Sequence, residues 1–324
     1  LLLGRLWMPY NGFRILDFHA HFPTNSGERL NASLEDEYLD RFDSEKLKHL
    51  SALGYAAEKK RWAAWNMQPP FRERLEDTET MRLWDEDRRN KNIDEVVFVT
   101  GGGNENLSAL VGGYESFSGF AHHSPEEKDA PLKLEKAIKE YGLKGYKILA
   151  PTVGIPLNDR RFFFLWQKAE ELRIPILIHF GILGGGAGYA GKPNCNPLIL
   201  EDVAKGFPYL NFVIPHFGAG YMRELLLLGW SCPNIYTDTS GSNQWIKWLP
   251  CEMDKKSVLR RFIETFGTRR IVFGTDSSFL PRGFIIDYLK EWMIIANDLN
   301  LRDDDVADIF YNNGHRLIYG GDEA

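Results

Sequence analysis

The residue types with the clearest chemical potential are five: His19, His21, His179, His216 and Asp276. The first two close the run Ile15-Leu16-Asp17-Phe18-His19-Ala20-His21. Alternation along a strand puts Asp17, His19 and His21 on one face. Leu16, Phe18 and Ala20 take the other face and are expected to pack outward against helices. At ~3.3 Å per residue the two imidazoles stand about 7 Å apart along the backbone. From there they can converge on one ion at ~2.0–2.1 Å each. An H-x-H pair is weak evidence alone, but other runs end in matching residues. Pro175–His179 and Asn211–His216 are apolar runs ending in histidine, and the run from Arg270 reaches Asp276. A lone histidine after a strand is ordinarily a satisfied core residue. Four histidines and an aspartate at one barrel mouth would share a low-dielectric place where polar groups need partners. A metal ion supplies them.

The elements that must position these residues follow a rhythm of β-rich run, loop and helical stretch. The β-rich runs are Arg14–His19, Glu95–Thr100, Ser116–Ala121, Leu143–Leu149, Pro175–His179, Asn211–His216, Ile235–Asp238 and Arg270–Gly274. Several are nearly continuous in Val, Ile, Leu and Phe, as strands covered on both faces should be. Pro131–Tyr141, Asp159–Leu172 and Lys256–Phe266 return apolar residues every three or four positions, the spacing of amphipathic helices. Eight strands alternating with helices predict a closed (β/α)8 TIM barrel, an α/β fold forming one domain over 1–324. An open doubly wound sheet is the rival. It would carry a glycine-rich phosphate turn after its first strand, where His19-Ala20-His21 stands instead.

One segment breaks the rhythm. Thr24–Arg89 is far longer than an ordinary strand-to-helix connection and carries Tyr38, Trp62, Trp65 and Trp84. It reads as a helical insertion (24–89) over the barrel mouth, because loops after barrel strands open onto the catalytic face. A homodimer contact is the alternative role. The Gly181–Gly191 stretch lacks the Lys-Ser/Thr ending of a phosphate loop and reads as a flap beside His179.

A net charge of -6 and a pI near 5.8 argue against a nucleic-acid partner. Local charge in a cleft still leaves a small anionic substrate open. No apolar stretch reaches the roughly 20 residues of a membrane helix. The opening Leu1-Leu2-Leu3 is too short for a signal-peptide core and, lacking Met, is expected to be a trimmed start. Cys195, Cys232 and Cys251 are odd in number and not paired as C-x-x-C, so they are expected to be reduced, small buried hydrophobes in a cytoplasmic protein.

The segments DFHAH, GLKGYKI, PILIHFG, FVIPHFG and IVFGTDSSF together resemble the amidohydrolase superfamily. They are most similar to the amidohydrolase-related (amidohydrolase 2) branch that holds aminocarboxymuconate-semialdehyde decarboxylase and its relatives. The resemblance runs from Phe13 to Tyr319, including Asn313-Gly314-His315-Arg316-Leu317, and leaves only the 24–89 insertion without a counterpart. It implies that His19, His21, His179 and Asp276 bind one divalent ion, zinc in most members, with manganese as the alternative. It places His216 beside the ion as an acid–base or polarising group, and Asp276 also as acceptor of the proton from a metal-activated water. In binuclear members a carboxylated lysine bridges two metals. Lys147 stands on the matching strand, so a second metal would follow if it were carboxylated. Otherwise it is an amine that pairs with a carboxylate or the substrate.

Candidate substrate contacts are His122, with His123 beside it, and Lys147, Arg223 and Arg282. The planar fork of arginine suits a carboxylate, though either arginine can equally be a solvated or helix-capping charge. Asp238 can orient a ligand histidine. The expected activity is metal-dependent hydrolysis of a small amide, ester or lactone. The competing activity is non-oxidative decarboxylation of a small unsaturated or aromatic acid. A barrel that only binds is disfavoured by the complete ligand set. A structural zinc site would more often close with Cys, and none lies in these motifs.

Overall fold

The computed structural model describes residues 12–24, 75–181, 193–241 and 244–320, with isolated positions between 45 and 63. Eight parallel strands appear in the predicted places: β1 (Leu16–His21), β2 (Glu95–Thr100), β3 (Phe117–Gly119), β4 (Tyr146–Leu149), β5 (Ile176–His179), β6 (Phe212–Ile214), β7 (Ile235–Asp238) and β8 (Ile271–Val272). Each pairs with its sequence neighbour in two arcs, β1 to β3 and β4 to β8. Both seams between the arcs are hydrogen-bonded. Ala121 bridges Tyr146 and Ala20 bridges Ser277. Lys147 N donates to Ala121 O at 2.7 Å, and Asp276 N to His19 O at 2.7 Å. The strands therefore run round a ring, and the fold is a (β/α)8 barrel.

The described helices are α1 (Asp77–Asn90), α2 (Asn104–Val111), α3 (Ala130–Lys139), α4 (Phe163–Glu171), α5 (Glu201–Gly206), α6 (Met222–Ser231), α7 (Lys255–Phe266), α8 (Ile286–Asp298), α9 (Asp303–Ala307) and α10 (Asn313–Tyr319). Local chemistry sets their limits. At the start of α7, Asp254 accepts from Ser257 N at 2.7 Å. Its buried Val258, Leu259, Phe262 and Phe266 recur at helical spacing. α3 begins with Pro131 in its first turn, where a missing N–H costs nothing.

The core has two parts. Most buried apolar side chains lie between the strands and the surrounding helices. A smaller cluster joins Leu16, Phe18, Val97, Val99, Phe120, Leu177, Val213 and Val272 from around the ring, with Tyr311 and Leu317 against them. This cluster corrects the simple alternation expected for β1. Leu16 and Phe18 lie inside the ring, and Phe18 meets Phe120 edge-on at 5.6 Å. Of that trio only Ala20 packs in the outer layer. The cause is a register shift between Asp17 and Ala20 where β1 pairs with β2. It lets one short strand carry apolar side chains low in the ring and imidazoles high. Asp17 turns toward the segment after β8, accepting from Thr275 N at 2.9 Å and Thr275 Oγ1 at 2.5 Å.

Most of the 24–89 insertion, and all of the 181–191 flap except Gly181, lie outside the described residues. The described stretch at the end of 24–89 runs into α1, which stands between β1 and β2. Its Trp84 is fully buried and meets Phe284 at 4.6 Å. Asp87 accepts from Phe284 N at 2.8 Å, and Lys91 Nζ donates to Phe284 O at 2.7 Å. This helix is thus tied to the loop after β8. The expectation of three buried cysteines needs correction. None forms a disulfide among the described residues, but only Cys232 is buried, Cys195 is half-buried and Cys251 exposed. Among the described residues no helix is long and apolar enough to cross a membrane.

Candidate metal centre

The upper ends of β1, β4, β5 and β7, with the turns after β6 and β8, bring the chemical residues together. His19 is fully buried, and its Nδ1 lies 2.8 Å from Asp238 Oδ2 on β7. A carboxylate only accepts, so this bond puts the proton on Nδ1 and leaves Nε2 as a lone pair. His21 Nδ1 is bonded to Thr100 Oγ1 of β2 at 2.7 Å. Its Nε2 lies 3.2 Å from His19 Nε2 and 3.2 Å from Asp276 Oδ1. His216 stacks on His19 with ring centroids 5.3 Å apart and meets His179 edge-on at 5.1 Å. The ligand atoms of His19, His216 and Asp276 all lie within 4.8 Å of one another.

This donor set fits a divalent ion on its own geometry. A nitrogen lone pair facing a second ring nitrogen and a carboxylate oxygen needs positive charge among them. Among the described residues His179 Nε2 is buried with no hydrogen-bond partner, and a buried polar atom of that kind calls for an electrophile. Imidazoles with one carboxylate suit zinc and manganese. His216, which the resemblance placed beside the ion, groups with His19 and Asp276.

Electrostatics point the same way. Burial pushes His19 down to about 3, assisted by Lys147, and it also lowers His21 and His179, so all three rings are neutral donors. Burial works to raise the Asp276 carboxyl, but its bond to His21 and the neighbouring His216 and His19 outweigh that and hold it below the usual range. Asp238 is held down likewise: burial opposes, but His19, His216 and Ser240 prevail. Lys147 on β4 is 1% exposed, with Nζ 3.5 Å from His19 Nε2. Burial lowers it to about 8, against the pull of Asp276 and Asp238.

The backbone is bent to present these groups. His216 and Asp276 both sit at φ 59, in the left-handed region that non-glycine residues avoid. Each such residue costs about 1–3 kcal/mol and persists only where its surroundings over-determine it. Two glycines make room. A Cβ on Gly241 would lie 2.7 Å from His216 Nδ1, and one on Gly274 would lie 2.8 Å from His19 Cβ.

The substrate candidates divide. Arg282 is half-buried on the loop after β8, its guanidinium over the Phe279 ring at 4.2 Å and within electrostatic reach of Asp276. Arg223 has a side chain that is 84% exposed and paired with Glu224 at 2.7 Å. His122 is hydrogen-bonded at both ring nitrogens. Its Nδ1 bonds Phe120 O at 3.0 Å, and its Nε2 accepts from Gly103 N at 2.8 Å. Nε2 fastens the loop after β2, Nδ1 is held by its own segment after β3, and burial pushes the ring down to about 4. His123 is occupied in the same way by Asn104 and Ala130. Sequence reasoning missed Thr100 and Ser240. Ser240 lies within hydrogen-bond distance of His19, His216 and Asp238. The signal was present in Thr237-Asp238-Thr239-Ser240, a polar run closing a strand.

Fold and centre together define a TIM-barrel protein with a metal-type donor set at the strands' carboxyl ends. The amidohydrolase family model matches residues 16–318, and the chain belongs to that family. Among solved structures it is similar to manganese-bound 5-carboxyvanillate decarboxylase from Novosphingobium aromaticivorans: TM-score 0.64, 15% identity, 96% of this chain and 98% of that one covered. It is similar to 2,6-dihydroxybenzoate decarboxylase from Rhizobium: TM-score 0.61, 16% identity, 94% and 98% covered. A probable 2-pyrone-4,6-dicarboxylic acid hydrolase from Acinetobacter baumannii gives TM-score 0.57, 14% identity, 94% and 99% covered. Protein fluG of Emericella nidulans is 24% identical over 181 residues, which are 50% of this chain and 20% of that protein. The chain thus spans a fifth of that relative's length.

Proposed function

We propose that this protein is a divalent-metal-dependent hydrolase of a small amide, ester or lactone. The observation that carries this reading is Asp276. Its carboxylate touches His21, stays ionised and keeps 34% of its side chain exposed, whereas His19 beside it has none. A fixed anionic base thus faces the space where a substrate would enter. His19, His21, His179 and Asp276 would hold the ion, with His216 beside them. When bound, the ion supplies Lewis acidity toward water and the substrate carbonyl. Asp276 accepts a proton from the attacking water and returns it to the leaving group. The buried Lys147 ammonium donates to the carbonyl oxygen as negative charge gathers there.

Arg282 favours a second reading. A half-buried guanidinium within electrostatic reach of Asp276 suits a substrate carboxylate, as a decarboxylase of a small unsaturated or aromatic acid requires. The hydrolase and decarboxylase neighbours are equally compatible with either chemistry, because a barrel hosts many reactions. Turnover of a panel of lactones, esters, amides and aromatic acids with added Zn2+ or Mn2+ separates them. Hydrolysis places 18O from labelled water in the product acid. Carbon dioxide release, with deuterium from D2O on the product carbon, would replace it with the second reading. No metal-dependent turnover of any class would end both.

A further inference from the structure

Ser240 lies two residues beyond Asp238 in the turn after β7 and is fully buried. Among the described residues its hydroxyl has three hydrogen-bonding neighbours: Asp238 Oδ1 at 2.5 Å, His216 Nδ1 at 2.8 Å and His19 Nδ1 at 3.0 Å. We infer that Ser240 is a positioning residue whose hydroxyl fixes the tautomer of His216 and supports the one Asp238 sets on His19, with protons on Nδ1 and bare Nε2 nitrogens.

The assignment follows from counting protons. Two oxygens at 2.5 Å must have a proton between them. Asp238 Oδ1 already accepts from two backbone groups, His216 N at 2.9 Å and Ser240 N at 2.9 Å. It is an acceptor, so the shared proton comes from Ser240. With that proton committed, Ser240 Oγ has only lone pairs left to offer the rings. His216 Nδ1 must therefore donate to it, which strips Nε2 of its proton. His19 Nδ1 donates to Asp238 Oδ2 at 2.8 Å, with Ser240 Oγ as a second acceptor. One serine and one carboxylate thus orient imidazoles from opposite sides of the barrel. Space is reserved for this arrangement, since a Cβ on Gly274 would come within 3.2 Å of Ser240 Cβ.

The consequence changes the part His216 can play. A ring with a bare Nε2 accepts a hydrogen bond or binds an ion at that atom, and cannot donate from it to a substrate oxygen. The tautomer stands independently of the proposed function, whereas its effect on metal affinity rests on that reading.

The test is carried out on the full chain labelled with 15N at histidine, before and after metal addition. Long-range 1H–15N spectra of the metal-free protein should show His19 and His216 each as a single Nδ1–H tautomer. In Ser240→Ala, His216 should become a mixture, and calorimetric affinity for Zn2+ should fall about 10- to 100-fold, as for other partners that orient metal-binding histidines. Ser240→Thr, which keeps the hydroxyl, should restore both. A wild-type spectrum with the His216 proton on Nε2 overturns the inference, and that result does not require any variant to fold. So does a Ser240→Ala protein with an unchanged tautomer. Correct tautomers in a chain that takes up no metal would leave the serine's role standing and defeat the metal reading.

Discussion

Chemistry at the residue scale is a matter of which groups have spare valence. His122 has none, because Nε2 fastens the loop after β2 and Nδ1 bonds its own segment, and the pH dependence of stability should register it. Its ring ordinarily titrates at 6.5 and in the fold at about 4. Between those values the unfolded chain binds a proton that the folded chain refuses, so stability falls as pH drops from 6.5 toward 4 and is complete above 6.5. The full effect is on the order of 3 kcal/mol. His122→Gln should lower stability at pH 8, and denaturant titrations should show its deficit shrinking toward pH 4.5. A deficit constant with pH would contradict the assigned cause. Of the arginines, Arg282→Ala should raise KM for anionic substrates at least tenfold, while Arg223→Ala should stay within about twofold, given its solvated pairing with Glu224. Steady-state kinetics on one acidic substrate compares them, and equal losses would sink the distinction.

Elements hold those residues in place, and the cost is concentrated in a few turns. Gly241 lies at φ 91 with His216 Nδ1 where a Cβ would go. Gly241→Ala should destabilise the fold by about 1–3 kcal/mol and weaken metal binding tenfold or more. Gly113→Ala, where a Cβ meets nothing within 4 Å, should stay within about 0.5 kcal/mol. Equal effects in thermal melts and calorimetry would mean that the glycine is not there for His216. All eight strands were legible in the sequence because apolar runs covered on both faces leave little ambiguity. The convergence of His19, His21, His179, His216 and Asp276 followed from their places at strand ends. The interior direction of Leu16 and Phe18 was hidden, since a register shift leaves no mark in an alternating pattern. The site role of Ser240 was hidden too: a serine after a strand looks like any turn residue until its neighbours across the barrel are known.

For the whole molecule, the ring brings residues from both ends of the chain to one centre, so metal occupancy and global stability must be linked. An ion that binds only the folded state at 100 times its Kd adds about 2.7 kcal/mol. Chelation should therefore lower Tm by several degrees, and Zn2+ or Mn2+ should restore it. Mg2+ should not, because it favours oxygen donors over imidazole. The most direct test is the metal content per chain of the purified protein beside Asp276→Ala and Lys147→Ala. One divalent ion is expected in the wild type, kept when Lys147 is replaced and lost with Asp276. An ion that survives the loss of Asp276, or two ions of which one leaves with Lys147, would contradict it.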